Sequence, residues 1–134
     1  MNKILALDFG LRNIGVAMSD PSQQFAFAQD SLPNDNAVFT ILKRVVQQEN
    51  IERIVIGRST SFHVEEKAIQ FVERLKQTVH VPIEFIDEMF TTKLALEIPL
   101  TLGMKKKKRQ NFDDDSAAAG YILEHYLNSA KSKK

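Results

Sequence analysis

Cysteine is absent from the 134 residues, and that absence removes two classes of protein at once. No disulfide framework is available and no thiolate zinc site, so a bound metal has to rest on carboxylates, histidines or water. Hard divalent cations accept such ligands. No apolar run reaches the roughly 18 residues of a membrane span, and no signal peptide pattern is present, so the expected location is the cytoplasm. Net charge is also small, at +1, yet unevenly placed: "KKKKR" at 105–109 carries +5, which leaves −4 for the rest. The basicity is local, as in a phosphate-contacting footprint. A hydrophobic fraction of 43% and a charged fraction of 26% suit a globular protein, and the length suits one domain, 1–134, with a frayed basic tail from about 130.

What is present begins with "ILALDFGLRNIGVAMSD", residues 4–20. An apolar strand ends on Asp8, a turn "FGLRN" follows, and a second apolar strand returns. "QFAFAQDSL" adds a third with partial alternation, making an antiparallel meander. The period then becomes helical in "NDNAVFTILKRVVQQEN", with Val38, Ile41, Leu42, Val45 and Val46 on one stripe behind an acidic or Asn cap. "IERIVIG" is a buried-strand run, "VEEKAIQFVERLKQTV" a second helix through Val64, Ala68, Phe71, Val72 and Leu75, and "VPIEFIDE" a fifth strand. Strands alternating with helices imply parallel crossovers, so the fold is mixed α/β. Thr91 or Thr92 caps a short helix to about Leu102, Gly103 ends it, the Lys run forms a loop, and "DDDSAAAGYILEHYLNSA" is a last helix behind an acidic cap.

Three acids occupy comparable places: Asp8 after strand one, Glu88 after strand five, and one of Asp113, Asp114 and Asp115 at the last helix. In an open α/β sheet, ligands bind at the carboxyl ends of the parallel strands. Asp87 competes with Glu88, because neighbours on a strand face opposite sides. Carboxylates gathered there repel one another unless cations neutralise them. Mg²⁺ or Mn²⁺ fits an oxygen-rich, partly open site, and two such ions roughly 3.5–4 Å apart suit in-line phosphodiester displacement. His63, His80 and His125 have no partner pattern that suggests catalysis.

Together these segments resemble the YqgF family, also called RuvX: ribonuclease-H-like proteins described as nucleases of the pre-16S rRNA 5′ end and as Holliday junction resolvases. "LALDFGLRNIGVAMSD" is similar to the family's opening strand pair and carries its metal-binding Asp onto Asp8. "FIDEMFTT" is similar to its Asp-Glu-Arg-x-Thr-Thr/Ser segment and carries the catalytic Glu onto Glu88. Aligning Ala118, Ala119, Ile122 and Leu123 with the family's last helix places the third acid on Asp115, while counting forward from Glu88 favours Asp114. Met89 stands where the family has Arg, which removes a bidentate phosphate donor. "GRSTSFHVEE" is shorter than the family's loop after strand four, although Arg58 and Ser59 remain to contact phosphate.

The resemblance implies a ribonuclease-H-like α/β fold with a five-stranded mixed sheet in order 3-2-1-4-5 flanked by helices. It implies a metal-dependent endonuclease with Asp8, Glu88 and Asp115 as catalytic and metal-holding residues, Asp114 being the alternative to Asp115 as third metal ligand. The cofactor expected is Mg²⁺ or Mn²⁺, in a pair. Arg12, Arg58, Ser59, Lys105, Lys106, Lys107, Lys108 and Arg109 are the expected nucleic-acid contacts. The substrate expected is pre-rRNA; the alternatives are branched DNA cut by a dimer, or nucleic acid bound without catalysis. Because the helices read as one-sided, a monomer is expected, with a dimer reserved for DNA.

If the Lys run holds phosphates, replacing Lys105 to Lys108 with Ser weakens nucleic-acid binding. It also flattens the slope of log K against log salt by roughly 0.7 to 0.9 unit for each phosphate no longer neutralised. A titration across several salt concentrations measures this, and an unchanged slope would mean that the run is merely solvated.

Overall fold

Strand β1 (Lys3–Asp8) takes the centre of the sheet because both of its faces are apolar: Leu5 and Leu7 on one, Ile4 and Ala6 on the other, all four essentially inaccessible. The computed structural model describes residues 2–58, 62–87 and 114–132. Within them β2 (Asn13–Ser19), β3 (Ala26–Pro33), α1 (Ala37–Gln48), β4 (Ile51–Arg58), α2 (Phe62–Lys76), β5 (Ile83–Asp87) and a last helix, here α3 (Asp114–Ser132), follow in that order. The sheet has five strands in the order β3-β2-β1-β4-β5. β1 pairs antiparallel with β2, and β2 antiparallel with β3, giving the expected meander. β4 lies parallel to β1, and β5 parallel to β4, through the expected crossovers. The expected helix after Thr91 or Thr92 and the Lys105–Arg109 loop lie outside the described residues.

Alternation divides the sheet into two unlike faces. Leu5, Leu7, Ile14, Val16, Ile54 and Ile56 form one face, and pack against Val38 and Leu42 of α1 and Ala68, Phe71, Val72 and Leu75 of α2. The other face is smaller in volume, with Ile4, Ala6, Ala17, Ala26 and Val55 packed beneath Ala119, Ile122, Leu123 and Leu127 of α3. Among the described residues, large side chains thus support α1 and α2, and small ones admit α3 close to the backbone.

Local chemistry sets the element ends. Asn36 precedes α1 but makes no capping hydrogen bond from its side chain. Asp35 Oδ1 accepts from the Ala37 N–H instead, at 3.0 Å, so the cap is the acidic one. Asn50 adopts a left-handed φ of 54° after α1, and its carbonyl accepts the Lys3 N–H at 3.1 Å, which leads the chain from helix into β4. β3 begins at Ala26, later than "QFAFAQDSL" suggests, because Asp20 Oδ1 engages the N–H groups of Gln24 and Phe25 at 2.8 and 2.9 Å. Helix α3 runs on to Ser132, into the stretch expected to fray. No Pro or Gly interrupts residues 121–132, so backbone bonding continues there.

The turn at Asp20 gives a pH signature. Partial burial pushes its pKa up, but hydrogen bonds from Ser22 Oγ and from the Phe25 and Gln24 N–H groups outweigh this and hold it at about 2. A carboxylate with a lowered folded pKa stabilises the fold above its unfolded pKa and loses that contribution as pH falls. The window therefore runs from about 3.8 down to about 2. Asp20→Asn should lower the melting temperature at neutral pH and flatten its fall within that window. A pH series of thermal melts checks this; parallel curves for variant and wild type would dissociate the turn from acid sensitivity.

Candidate active site

Asp8 ends β1 on the α3 side of the sheet, two residues beyond Ala6 and four beyond Ile4 on the same stripe. It is only 7% exposed, a costly place for a carboxylate unless charge or hydrogen bonds compensate it. The register surrounds it with glycine: Asp8 is opposite Gly15 on β2 and opposite Gly57 on β4. Gly57 is in turn opposite Ile86 on β5. The row across this sheet edge reads Gly15, Asp8, Gly57, Ile86, so neither strand beside β1 places a side chain next to the carboxylate.

Gly57 is required by close approach and not by a turn. A Cβ there would lie 2.3 Å from Ile122 Cδ1, 3.2 Å from Ile122 Cγ1 and 3.7 Å from Asp8 Oδ1. The same point therefore seats α3 on the sheet and borders the carboxylate. The first turn of α3 is tied down nearby: the Val16 N–H, beside Gly15, donates to Ser116 Oγ at 3.4 Å, at the position where the β2–β3 register shifts. Ser116 is fully buried. Asp114 and Asp115 are the first two residues of that helix, so the backbone brings the acid-rich helix start to the strand edge that carries Asp8.

The other expected site residues divide by location. β4 ends at Arg58 and β5 at Asp87, and these two are register partners at the same carboxyl edge as Asp8. Arg12 is exposed in the β1–β2 turn, where its carbonyl accepts the Asn34 N–H at 2.8 Å. Glu88, Ser59, Lys105, Lys106, Lys107, Lys108 and Arg109 lie outside the described residues. Among the described residues no group of three or more His, Asp or Glu gathers as a metal cluster. Two positions escaped the sequence reading. Gly57 closes an apolar run and reads there as a strand end, and Ser116 follows three acids and reads as part of a cap. Their importance arises only when α3 crosses the sheet.

The family model described as "RuvX: Holliday junction resolvase" matches residues 2–129. The chain belongs to the RuvX family. A relative from Phocaeicola vulgatus, named "Putative pre-16S rRNA nuclease", is 37% identical over 98% of this chain and 99% of its own length. One from Sulfurihydrogenibium with the same name is 38% identical over 96% of this chain and 91% of its own. Among solved structures, Thermus thermophilus RuvC in complex with a Holliday junction substrate superposes with a TM-score of 0.70 at 15% identity, covering 98% of this chain and 96% of that one. The fowlpox virus Holliday junction resolvase gives 0.61 at 13% identity, over 95% and 99% of the two chains. These superpositions give the fold, which is ribonuclease-H-like, in the strand order expected. RuvX membership places the chain among nucleases.

The close approach at Gly57 yields a direct test. Gly57→Ala should destabilise the protein by about 1–3 kcal/mol, since a methyl group has no room against buried Ile122. Combining it with Ile122→Val removes the clashing Cδ1 and should make the double variant's loss smaller than the sum of the two single losses. Urea unfolding of the four proteins decides the matter, and simple additivity would count against the clash.

Proposed function

We propose that the chain is a single nuclease domain that hydrolyses phosphodiester bonds in structured nucleic acid with the help of divalent metal, and that it processes the 5′ end of pre-16S rRNA in the cytoplasm. The observation that carries this reading is Asp8: a buried carboxylate at the carboxyl edge of the central strand, flanked by two glycines, beneath the start of the acid-rich helix. The names of the full-length relatives support rRNA as substrate.

The donor set fits a hard cation. It is all carboxylate, and the glycine row keeps side chains of the neighbouring strands away from Asp8. Asp8 would hold the metals together with Glu88 and Asp115, with Asp114 as the alternative third ligand. Support for Glu88 over Asp87 comes from parity: Ile86, two residues earlier, packs on the α3 side of the sheet, the Asp8 side. Two Mg²⁺ or Mn²⁺ ions would supply water activation and charge stabilisation at the leaving oxygen. The protein's own part is to hold the acids at a rigid edge, fixed by Gly57 against Ile122 and by Ser116 against Val16. Arg12, Arg58, Ser59 and the Lys105–Arg109 run would position the phosphate backbone, which gives register and affinity without sequence preference.

A second reading is favoured by the description of the matching family model: resolution of four-way DNA, which requires two sites related by a two-fold axis and therefore a dimer. Trimming one RNA end requires one site and a monomer. A catalytically impaired binding module, suggested by Met89, is the third outcome.

Precursor rRNA ends and a four-way junction, incubated side by side with Mg²⁺ or Mn²⁺ and with chelator, separate these readings. The expected result is metal-dependent cutting of the RNA by a monomer, and paired symmetric nicks by a two-to-one complex in light scattering would overturn it. Asp8→Asn should abolish cleavage, leave binding largely intact and keep or raise the melting temperature without metal, because a like charge is removed. Turnover near wild type in that variant would refute the metal assignment.

A further inference from the structure

On the α1/α2 side of the sheet a cleft of about 480 Å³ opens between the β1–β2 turn, the β3–α1 connection and the outer faces of α1 and α2. It begins at Phe9, the residue after Asp8. Phe9 belongs to the α1/α2 core, so cleft and carboxylate leave the same strand end on opposite faces of the sheet. Arg12, exposed in the same turn, follows the cleft residue Leu11 in the chain.

The walls are fixed. Asn34 Nδ2 donates to the Gly10 carbonyl at 2.8 Å, which ties the turn to the end of β3. The turn itself is tight, since a Cβ on Gly10 would lie 2.4 Å from the Asn13 carbonyl oxygen. Behind it, the rings of Phe9 and Phe39 lie 5.3 and 5.2 Å from the ring of Phe71. The Arg74 guanidinium covers Phe39 at 4.3 Å and donates to Asn36 Oδ1 at 3.0 Å. A charged plane is thus held by a ring on one face and an amide at its edge. Leu11, half exposed at 50%, faces the same space, with Lys67 and Gln70 on the α2 rim.

We propose that this cleft takes an unpaired nucleotide of the substrate strand, its base against the Arg74 plane and Leu11. Three features select that ligand. A stacking surface made of a guanidinium and an apolar side chain suits a base face, which duplexes keep hidden. Amides at Asn36 and Gln70 suit base edges, and Lys67 with Arg74 outweighs Asp35 and suits phosphate. The volume lies within the roughly 300–1,000 Å³ of small-ligand pockets, too small for a double helix. This rests on the nuclease reading of the Asp8 edge and refines it: the substrate carries a single-stranded stretch beside the bond to be cut, and that stretch turns over the strand end past Arg12.

The test compares RNA hairpins that are blunt or carry a single-stranded extension, with the same pair in DNA, by fluorescence anisotropy in chelator at fixed salt. Arg74→Lys keeps the charge and loses the plane, and Leu11→Ala shortens the apolar wall at an exposed site. Each should weaken binding of the extended hairpin by roughly five-fold or more, in RNA, DNA or both, and leave the blunt hairpin unchanged. Equal affinity of the wild type for blunt and extended forms in both sugars would overturn the proposal. So would variants that weaken blunt and extended forms alike, or neither. Binding is read without cleavage, so a protein that binds the extension yet never cuts would refute the nuclease reading and leave the cleft assignment in place.

Discussion

Everything at the candidate site depends on how closely α3 approaches the sheet. The face beneath it is built of Ala6, Ala17, Ala26 and Val55 with Gly57 at the edge, and Ile122 occupies the space a Gly57 side chain would need. A close-packed interior does not absorb an added methyl group without moving something. Were position 57 larger, the helix would stand off, the bond between the Val16 N–H and Ser116 would open, and the acid-rich helix start would leave the strand edge. The opposite face, with Leu5, Leu7, Ile54 and Ile56, carries most of the apolar volume and has no such constraint. Stability and site geometry are thereby assigned to different faces of one sheet.

That division explains which parts were legible in the sequence. The strands β1, β4 and β5 and the helices α1 and α2 declare themselves by period, because a face buried on large residues leaves a strong apolar pattern. Asp8 was legible because an acid after such a run contradicts it. Strand ends were less so: whether β3 starts at Gln24 or Ala26 is decided by the Asp20 side chain reaching forward to two N–H groups, and composition does not show that. Asn36 and Asp35 are equally good caps on paper, and only the hydrogen bond to Ala37 separates them.

The candidate site could be read from the sequence as a set of acids and not as a geometry. Alternation alone does not choose between Asp87 and Glu88, since neighbours on a strand face opposite sides. Gly57 and Ser116 escaped because their partners, Ile122 and Val16, are remote in the chain. The cleft at Arg74 was illegible for the same reason: the β1–β2 turn, the β3–α1 connection, α1 and α2 each contribute a few ordinary residues.

The order of synthesis also fixes when activity can arise. Ser116 and Val16 are separated by 100 positions, and β1 is roofed by a helix made long after it. During synthesis at roughly 5–20 residues per second, the nascent chain carries Asp8 with no roof above it until α3 emerges. Lacking residues 114–132, it also exposes Ala6, Ala17 and Val55. Assembly of the site therefore waits for α3, so a hydrolase made on a ribosome keeps its carboxyl edge open until the helix that roofs it has emerged.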